Sequence, residues 1–493
     1  MSSWKLGGSS GPRVLLVEAN DMDAWVGAGM PYEVHIPPIG LMYLAAYARE
    51  AVNGVEIRIV ESSLHCAGDE EYLRTVESFR PDVVGIRSIN FFARELRRIA
   101  SLTRASSDAL IVAGGPIVRA MGCDLLRECP EIDVAVKGEG ERTLASILAG
   151  HAIAGLPGVI HRSGEDVVEA PDAGEIPAID ELPFPAYDLV DLDHYATQLS
   201  YSYNHRRQGV LLTSRGCPYS CAFCFSHWKS VRLRSADNVY REMVDLHERF
   251  GIEDFYIIDD IFNVKAQRAL DLFRSIGSDG LKVRLYFSNG LRADIVDEEF
   301  VDRAIEAGAI WFTYAVETGS EDLQRLIRKR VDLDKAAKII GYTQERGVVV
   351  NISTMFGFPT ETYEQARQTL DWLGRLPKPS VLPYHFCLRV FPKCEIVQQA
   401  RDAGWDPQRI EAGSECSYND LPIGTPTLSQ SQMTSVLIEY HERFGLSNRN
   451  AVAEAVKTLM GVGYSETEIA HMYSVLKRRV VPDLRGLLQE GAA

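Results

Sequence analysis

Ser214-Arg215-Gly216-Cys217-Pro218-Tyr219-Ser220-Cys221-Ala222-Phe223-Cys224 is the stretch on which the reading of this chain turns. Three cysteines stand at C-x3-C-x2-C spacing, shortly after an apolar run, Val210-Leu211-Leu212. Thiolates are the ligands of iron–sulfur clusters, and three on one short loop can each reach a different iron of a cubane. The loop carries no fourth cysteine, which leaves one iron open to a ligand that is not protein. A structural zinc site is the rival reading. Such sites take four ligands, often from paired C-x2-C knuckles, and no second knuckle is present. A disulfide framework is a further alternative, against which stands an odd total of nine cysteines.

The other six, Cys66, Cys123, Cys129, Cys387, Cys394 and Cys416, are widely scattered and read as small buried hydrophobes. An auxiliary cluster on Cys387, Cys394 and Cys416 is the alternative for the last three. The chain has 493 residues, room for roughly two to four domains at ~100–200 residues each. Apolar residues make up 46% and charged residues 24%, ordinary for a globular protein with real cores. No apolar run approaches the ~18 residues of a membrane span, so no membrane association is expected. The start, Met1-Ser2-Ser3-Trp4-Lys5-Leu6-Gly7-Gly8, has no apolar stretch of the signal-peptide kind, and a cytoplasmic location is expected. The formal charge of −16, from 52 basic and 68 acidic residues, argues against a nucleic-acid partner.

Residues 12–150 alternate between apolar strands and amphipathic helices. Strands are expected at 13–18, 55–60, 83–86, 109–113 and 134–136, with helices at 39–50, 70–79, 94–103 and from 141 to 148. Such alternation predicts a doubly wound parallel sheet with its site at the strand C-termini. Residues 181–188, Glu181-Leu182-Pro183-Phe184-Pro185-Ala186-Tyr187-Asp188, are proline-interrupted and cannot form a regular helix. From Gly209 the alternation resumes, and each strand ends on something polar. The first delivers the cysteine loop, the second ends at Asp259-Asp260, the third at Ser288-Asn289-Gly290-Leu291-Arg292. The fourth ends at Glu317-Thr318-Gly319-Ser320, with Ser320 placed to cap a helix. The fifth ends at Gly357-Phe358-Pro359-Thr360-Glu361-Thr362, and a sixth spans 385–390. Barrels of this kind collect their active sites at the C-terminal strand ends. The tail from about Leu428 reads as helical, and Ser465 with Glu468 has the spacing of a capping box.

The cysteine spacing, with an aromatic before the last cysteine, resembles the radical SAM superfamily. That resemblance implies a [4Fe–4S] cluster on Cys217, Cys221 and Cys224. It also implies S-adenosylmethionine (SAM) chelating the open iron and cleaved on reduction to methionine and a 5'-deoxyadenosyl radical. Phe223 would lie by the adenine, and Asp259 and Asp260 where many relatives hold the methionine amino group. Glu317 would supply a carboxylate for that ammonium or the ribose. Ser288, Arg292 and Ser353 would contact ribose or carboxylate, and Gly357 would pass close to the adenine. Each has a bland alternative: Asp and Ser cap helices, and Arg292 can pair with Asp294.

A second resemblance lies upstream. His35-Ile36-Pro37-Pro38-Ile39-Gly40-Leu41, then Gly114-Gly115-Pro116, then Gly138-Glu139-Gly140-Glu141 is similar to the cobalamin-binding domain found ahead of many radical SAM domains. Asn20, Pro38, Gly40, Ser88, Gly114, Gly115, Gly138, Glu139, Gly140 and Glu141 are the implied contacts. The familiar D-x-H-x-x-G loop, which gives cobalt a histidine, is absent. Here the first strand runs into Glu18-Ala19-Asn20-Asp21-Met22-Asp23-Ala24-Trp25. The implied cobalamin therefore lacks a histidine ligand from this domain, or the domain keeps the fold without the cofactor.

The expected architecture is α/β. It comprises a Rossmann-like cobalamin-binding domain over 1–150, a connector over 151–205, a partial (β/α)6 TIM-type radical SAM barrel over 206–425, and a helical domain over 426–493. The implied function is C-methylation, with methyl passing from methylcobalamin to an unactivated carbon of a small-molecule or natural-product intermediate. The two sets of strand C-termini would then have to share one cavity. A cyclase or ring-rearranging enzyme on the same domains, and a non-enzymatic cobalamin-binding protein, are the alternatives. A tRNA methylthiotransferase is disfavoured, since Cys66, Cys123 and Cys129 do not match its first cluster. The external electron donor would be of flavodoxin or ferredoxin type.

Overall fold

The computed structural model describes residues 11–20, 35–89, 93–176, 178–197, 204–225, 228, 230–382, 384–391, 393–407, 410 and 424–480. The chain divides into two compact units, 1–194 and 195–493.

In the first unit the apolar runs form a parallel sheet. Its strands are β1 (Arg13–Glu18), β2 (Glu56–Glu61), β3 (Val83–Arg87), β4 (Leu110–Gly114) and β5 (Val134–Val136), in the order β2-β1-β3-β4-β5. Helices α1 (Ile39–Ala51) and α4 (Glu141–Leu148) pack together, as do α2 (Asp69–Phe79) and α3 (Ala93–Ser106). Strand side chains alternate between faces. Leu15, Val17, Val84 and Ile86 accordingly join Tyr72, Val76, Phe79, Leu96 and Ile99 in one buried core. The order reverses between β1 and β3, and at that switch point the end of β1 meets the end of β3 through the Glu18–Arg87 ion pair.

The expected connector over 151–205 needs correcting. Residues 159–169 belong to the sheet: β6 (Val159–Ser163) and β7 (Asp166–Glu169) add antiparallel beyond β5. The reason is that β5, three residues long, would otherwise present bare backbone groups at an edge. Further on, the Glu139 carboxylate accepts from the Ile176 amide. The proline-bearing stretch forms only 3-10 turns, Ile179–Glu181 and Tyr187–Leu189, as its composition requires.

In the second unit six parallel strands form an open sheet. They are β8 (Gln208–Leu211), β11 (Asp254–Ile257), β12 (Arg284–Leu291), β13 (Ala309–Glu317), β14 (Val349–Phe356) and β15 (His385–Cys387), ordered β15-β14-β13-β12-β11-β8. Between the first two, β9 (Ser214–Arg215) pairs antiparallel with β10 (Arg232–Leu233) and brackets the cysteine loop. The helices are α5 (Ala236–Phe250), α6 (Ala266–Ser278), α7 (Glu298–Glu306), α8 (Leu333–Glu345), α9 (Tyr363–Leu373) and α10 (Glu395–Asp402). Phe287 faces them, with ring centroids 6.3 Å from Phe273 and 6.2 Å from Phe300. On the other face Tyr286 stacks on Tyr256 at 4.4 Å and meets Trp311 at 6.1 Å. These are the residues that fill the interior.

The tail is helical as expected, through α11 (Gln430–Arg443), α12 (Arg449–Gly461) and α13 (Glu466–Val480). Ser465 and Glu468 form the anticipated reciprocal hydrogen bonds, whereas the Ser320 side chain makes no cap bond. Near the strand starts, Tyr464 lies 6.4 Å from Trp311, and Arg206, ahead of β8, stacks over the Tyr464 ring at 5.7 Å. Arg206 also approaches Glu468 at 3.5 Å. This part of the tail thus plugs the N-terminal end of the barrel, opposite the end that carries the polar groups.

Candidate active site

The cysteine loop is held by features that only its own residues permit. Gly216 has φ of 93°, and a Cβ there would sit 2.1 Å from the Ser230 carbonyl oxygen. The amide of Ala222 donates to the Ile327 carbonyl at 2.8 Å, and the Ala222 carbonyl accepts from Ile396 at 2.8 Å. Cys217 and Cys221 are half-buried and Cys224 is exposed. Burial pushes the Cys217 and Cys221 thiols above their usual range. Iron reverses that balance, because coordination deprotonates a thiol outright. Among the described residues no three His, Cys, Asp or Glu side chains close around a single ion. Three soft donors spread along one loop fit a polynuclear cluster in which each holds a different iron.

Of the two acids that end β11, one is already spent within the protein. Asp259 is 2% exposed. Its carboxylate accepts from the Thr213 amide at 2.6 Å, the Thr213 hydroxyl at 2.5 Å and the Ser214 hydroxyl at 2.7 Å. The Arg268 guanidinium lies 3.9 Å away. The expected SAM contact at Asp259 is therefore corrected: this side chain fixes the strand that launches the cysteine loop. Asp260, next in sequence and likewise beyond the end of β11, is exposed and remains a candidate.

Arg292 is committed in the same manner. Its guanidinium pairs with Asp294 at 2.8 Å, donates to the carbonyls of Lys329 and Arg330, and lies 4.1 Å above the Tyr219 ring. The alternative pairing holds, and the arginine braces the cysteine loop from beside. Gly357 has φ of 84°, and a Cβ there would meet Met433 at 3.2 Å and Cys387 at 3.4 Å, so a side chain at this position would be crowded. Phe223 packs against the apolar cluster that holds Phe358 and Leu388. Ser288 and Ser353 are half-buried, and the Ser288 hydroxyl has no hydrogen-bond partner.

Two groups escaped the reading of the sequence, and Lys329 is the first. Its partner, the expected site residue Glu317, sits on a β13–β14 register shift with φ of 74°, and Lys329 donates to it at 2.9 Å. Burial pushes the Lys329 ammonium down, but the Glu317 carboxylate outweighs this and the net direction is up. The same ammonium lowers each of the three thiols. It lies between Arg328 and Arg330, both in the left-handed region, with φ of 54° and 51°.

Glu361 is the second. It is fully buried and accepts from the amides of Gly357 and Phe358, while its other oxygen has no partner. Burial pushes it from 4.5 to about 8. Above 4.5 the unfolded chain has lost a proton that the folded chain keeps until about 8, so stability is whole below 4.5 and declines up to about 8. Glu361→Gln cannot ionise and should flatten this decline by an amount on the order of a few kcal/mol. Thermal melts of wild type and variant across that range check it; parallel curves would contradict it.

In the first unit the expected cobalamin contacts are brought to one edge of the sheet. A Cβ at Gly114 would have nothing within 4 Å, an open cradle at the end of β4. Gly115, by contrast, abuts the Ser88 carbonyl oxygen at 2.7 Å and serves the turn, with φ of 88°. Ser88, Pro38 and Glu141 are buried, Gly40 and Gly140 half-buried, and Gly138 exposed with φ of 93°. Glu139 turns away toward Ile176, so its expected ligand contact is corrected to an internal tie. The Asn20 backbone amide donates to the Ser62 hydroxyl at 2.8 Å, and its side-chain amide donates to Glu61 at 3.0 Å. One oxygen of Glu18 at the switch point is buried without a partner, and burial raises that carboxyl to about 7. An open glycine cradle beside an unsatisfied buried acceptor fits a bulky ligand rich in amide donors.

The fold, the thiol loop and this cradle define a radical SAM enzyme with a corrinoid module. Residues 211–373 match the family model of the radical SAM superfamily, and residues 28–148 that of the B12 binding domain. The chain thus carries a radical SAM domain and a B12 binding domain, whose cofactors are a [4Fe–4S] cluster with SAM and cobalamin. It is 28% identical over 349 residues to an uncharacterized methyltransferase, PH0819, of Pyrococcus horikoshii, spanning 69% of this chain and 73% of that one. It is 22% identical over 376 residues to the anaerobic magnesium-protoporphyrin IX monomethyl ester cyclase of Rubrivivax gelatinosus, spanning 73% of this chain and 66% of that one. In fold it is similar to the radical SAM methyltransferase TsrM from Kitasatospora setae, solved with tryptophan and a SAM analogue. That match has a TM-score of 0.69 at 20% identity, over 98% of this chain and 100% of that one. No described helix is long and apolar enough to cross a membrane.

Proposed function

We propose that this enzyme is a C-methyltransferase that places a methyl group on an unactivated carbon of a small-molecule or natural-product intermediate. The observation that carries the reading is the presence on one chain of a three-thiol loop and a corrinoid cradle, in a family where several relatives are named methyltransferases. When bound, the cluster with SAM supplies a hydrogen-abstracting radical and the cobalamin supplies the methyl group. The chain's own part is to bind and orient. Cys217, Cys221 and Cys224 hold the irons; Asp260, Ser288 and Ser353 offer polar contacts to SAM; Phe223 offers an apolar one. Asp259 and Arg292 hold the loop in place. The Gly114 edge receives the corrin. A one-electron donor of flavodoxin or ferredoxin type is required, and the reduced thiols and oxygen-sensitive cluster suit a cytoplasmic setting.

Cyclisation without methyl transfer is the second reading, favoured by the cyclase relative. The two differ in what they make from SAM. Anaerobically reconstituted protein, given reductant and SAM with a deuterated methyl group, should form S-adenosylhomocysteine in proportion to bound cobalamin, alongside 5'-deoxyadenosine. Formation of 5'-deoxyadenosine alone, from protein shown to hold both cofactors, would remove methyl transfer and leave rearrangement.

A further inference from the structure

The last residue of β13 is held in a conformation that its own backbone resists. Glu317 has φ of 74°, and the register with β14 shifts between Ala315 and Glu317. A residue with a side chain persists in that region only where its surroundings over-determine it. Here the constraint is Gln324, from the short helix Glu321–Leu326. Gln324 is 3% exposed, and its Nε2 donates to the carbonyls on both sides of Glu317, Val316 at 2.7 Å and Thr318 at 2.8 Å. Residues two apart in a strand stand roughly 6.6 Å from one another. Bonds of 2.7 and 2.8 Å from one nitrogen cannot span that distance, so the chain has to turn at Glu317. The rest of Gln324 holds the lysine segment. Its Oε1 accepts from the Val331 amide at 3.1 Å, and its backbone carbonyl accepts from the Arg330 amide at 3.2 Å. One residue therefore ties the strained strand end to the segment that delivers Lys329 to it.

We propose that Gln324 is a positioning residue of the SAM site, holding the Glu317 carboxylate where it meets bound SAM. This rests on the assignment of SAM to the open iron. Glu317 stands beside the cysteine loop, close enough for its charge to act on the Cys221 thiol. Lys329 takes only its Oε1; Oε2 makes no hydrogen bond with any described residue and still reaches solvent. A carboxylate oxygen left free beside the cluster suits the ammonium or a ribose hydroxyl of SAM, both of which are donors. Lys329 fixes one oxygen and Gln324 fixes the backbone, so the second oxygen is aimed before any ligand arrives. Gln324 itself spends its side chain on backbone groups alone and touches no ligand. Glu317 makes the contact, and Gln324 places it.

The test is a double-mutant cycle on SAM affinity, measured by equilibrium dialysis of the full chain, anaerobically reconstituted, with the cluster left oxidised so that no turnover occurs. Glu317→Gln removes the charged acceptor and should weaken SAM binding on the order of tenfold. Gln324→Met removes both donors and should weaken it to a similar degree, with iron and sulfide content as in wild type. The double variant should bind SAM no more weakly than Glu317→Gln alone, because a residue that acts through Glu317 then has nothing left to place. A merely structural role would multiply the two losses, and that result overturns the proposal. So does a Glu317→Gln chain with unchanged SAM affinity. Gln324→Glu, which keeps the shape but as a carboxylate donates nothing, is the second variant. If neither Gln324 variant assembles the cluster, the residue serves the fold alone and the proposal falls. Wild-type protein with a full cluster and no SAM binding overturns the SAM assignment, and this placement with it.

Discussion

Replacing Cys217, Cys221 and Cys224 together by alanine is expected to remove the iron–sulfur cluster entirely and with it all cleavage of SAM. The three are the thiols of one loop whose backbone is fixed from several sides, by Gly216, by the Ala222 hydrogen bonds and by Arg292 over Tyr219. No three His, Cys, Asp or Glu side chains among the described residues close on a single metal ion, so no mononuclear site competes with the loop. The fold should survive, because those braces are backbone and neighbouring side chains, not sulfur. Iron and sulfide analysis of anaerobically reconstituted protein, with the broad visible absorbance of the cluster as a second readout, decides the matter. Retention of wild-type iron in the triple variant would place the cluster elsewhere in the chain. The cobalamin unit provides an internal control, since its corrin uptake should be unchanged.

Lys329→Met should have the next largest effect, and it acts in two separable ways. Glu317 is 7% exposed, so the loss of its ammonium partner leaves a carboxylate stranded in poor solvent. Breaking one side of such a pair typically costs about 3–5 kcal/mol. Replacing both partners, Lys329→Met with Glu317→Leu, should return much of that stability, because no lone charge remains. The second effect should return only in part, since Glu317 acts on Cys221 in the opposite sense to Lys329. Lys329 lowers all three cluster thiols in the present fold. A positive charge beside a cluster favours the reduced form, so Lys329→Met should have a more negative reduction potential than wild type, and the double variant, which also loses the Glu317 carboxylate, a smaller shift. A redox titration followed by electron paramagnetic resonance, beside thermal melts, separates the two effects. A potential unchanged in both variants would show that the lysine serves the fold alone.

Much of this arrangement was legible before any coordinates. The strands of both units are short apolar runs that end on polar or glycine residues, a pattern that a parallel sheet covered on both faces imposes. The cysteine loop announces itself by spacing. What stayed hidden depended on pairings between distant residues. The buried His35–Glu61 contact joins residues 26 positions apart, and nothing local marks it. Lys329 lies in Arg328-Lys329-Arg330, which resembles any solvated basic run until two left-handed residues turn the lysine inward. Asp259 and Asp260 lie beyond the end of β11, where strand alternation does not apply, and only the hydrogen bonds from Thr213 and Ser214 tell them apart. The hairpin β6–β7 was missed because its residues, Val159-Ile160-His161-Arg162-Ser163 and Asp166-Val167-Val168-Glu169, are too short and too polar on one side to stand out.

That hairpin bears on how the chain can be cut into working pieces. A fragment ended at residue 150 would lose β6 and β7 and expose the whole outer side of β5, an invitation to edge-to-edge association between copies. It would also lose Arg162, which donates to the carbonyls of Leu126 and Cys129, and Ile176, whose amide satisfies Glu139. A fragment carried to His194 keeps each of these closures. The boundary suggested by the last helix of the nucleotide-fold pattern is thus the wrong place for the scissors, and a corrin-binding module prepared for separate study should carry its hairpin with it.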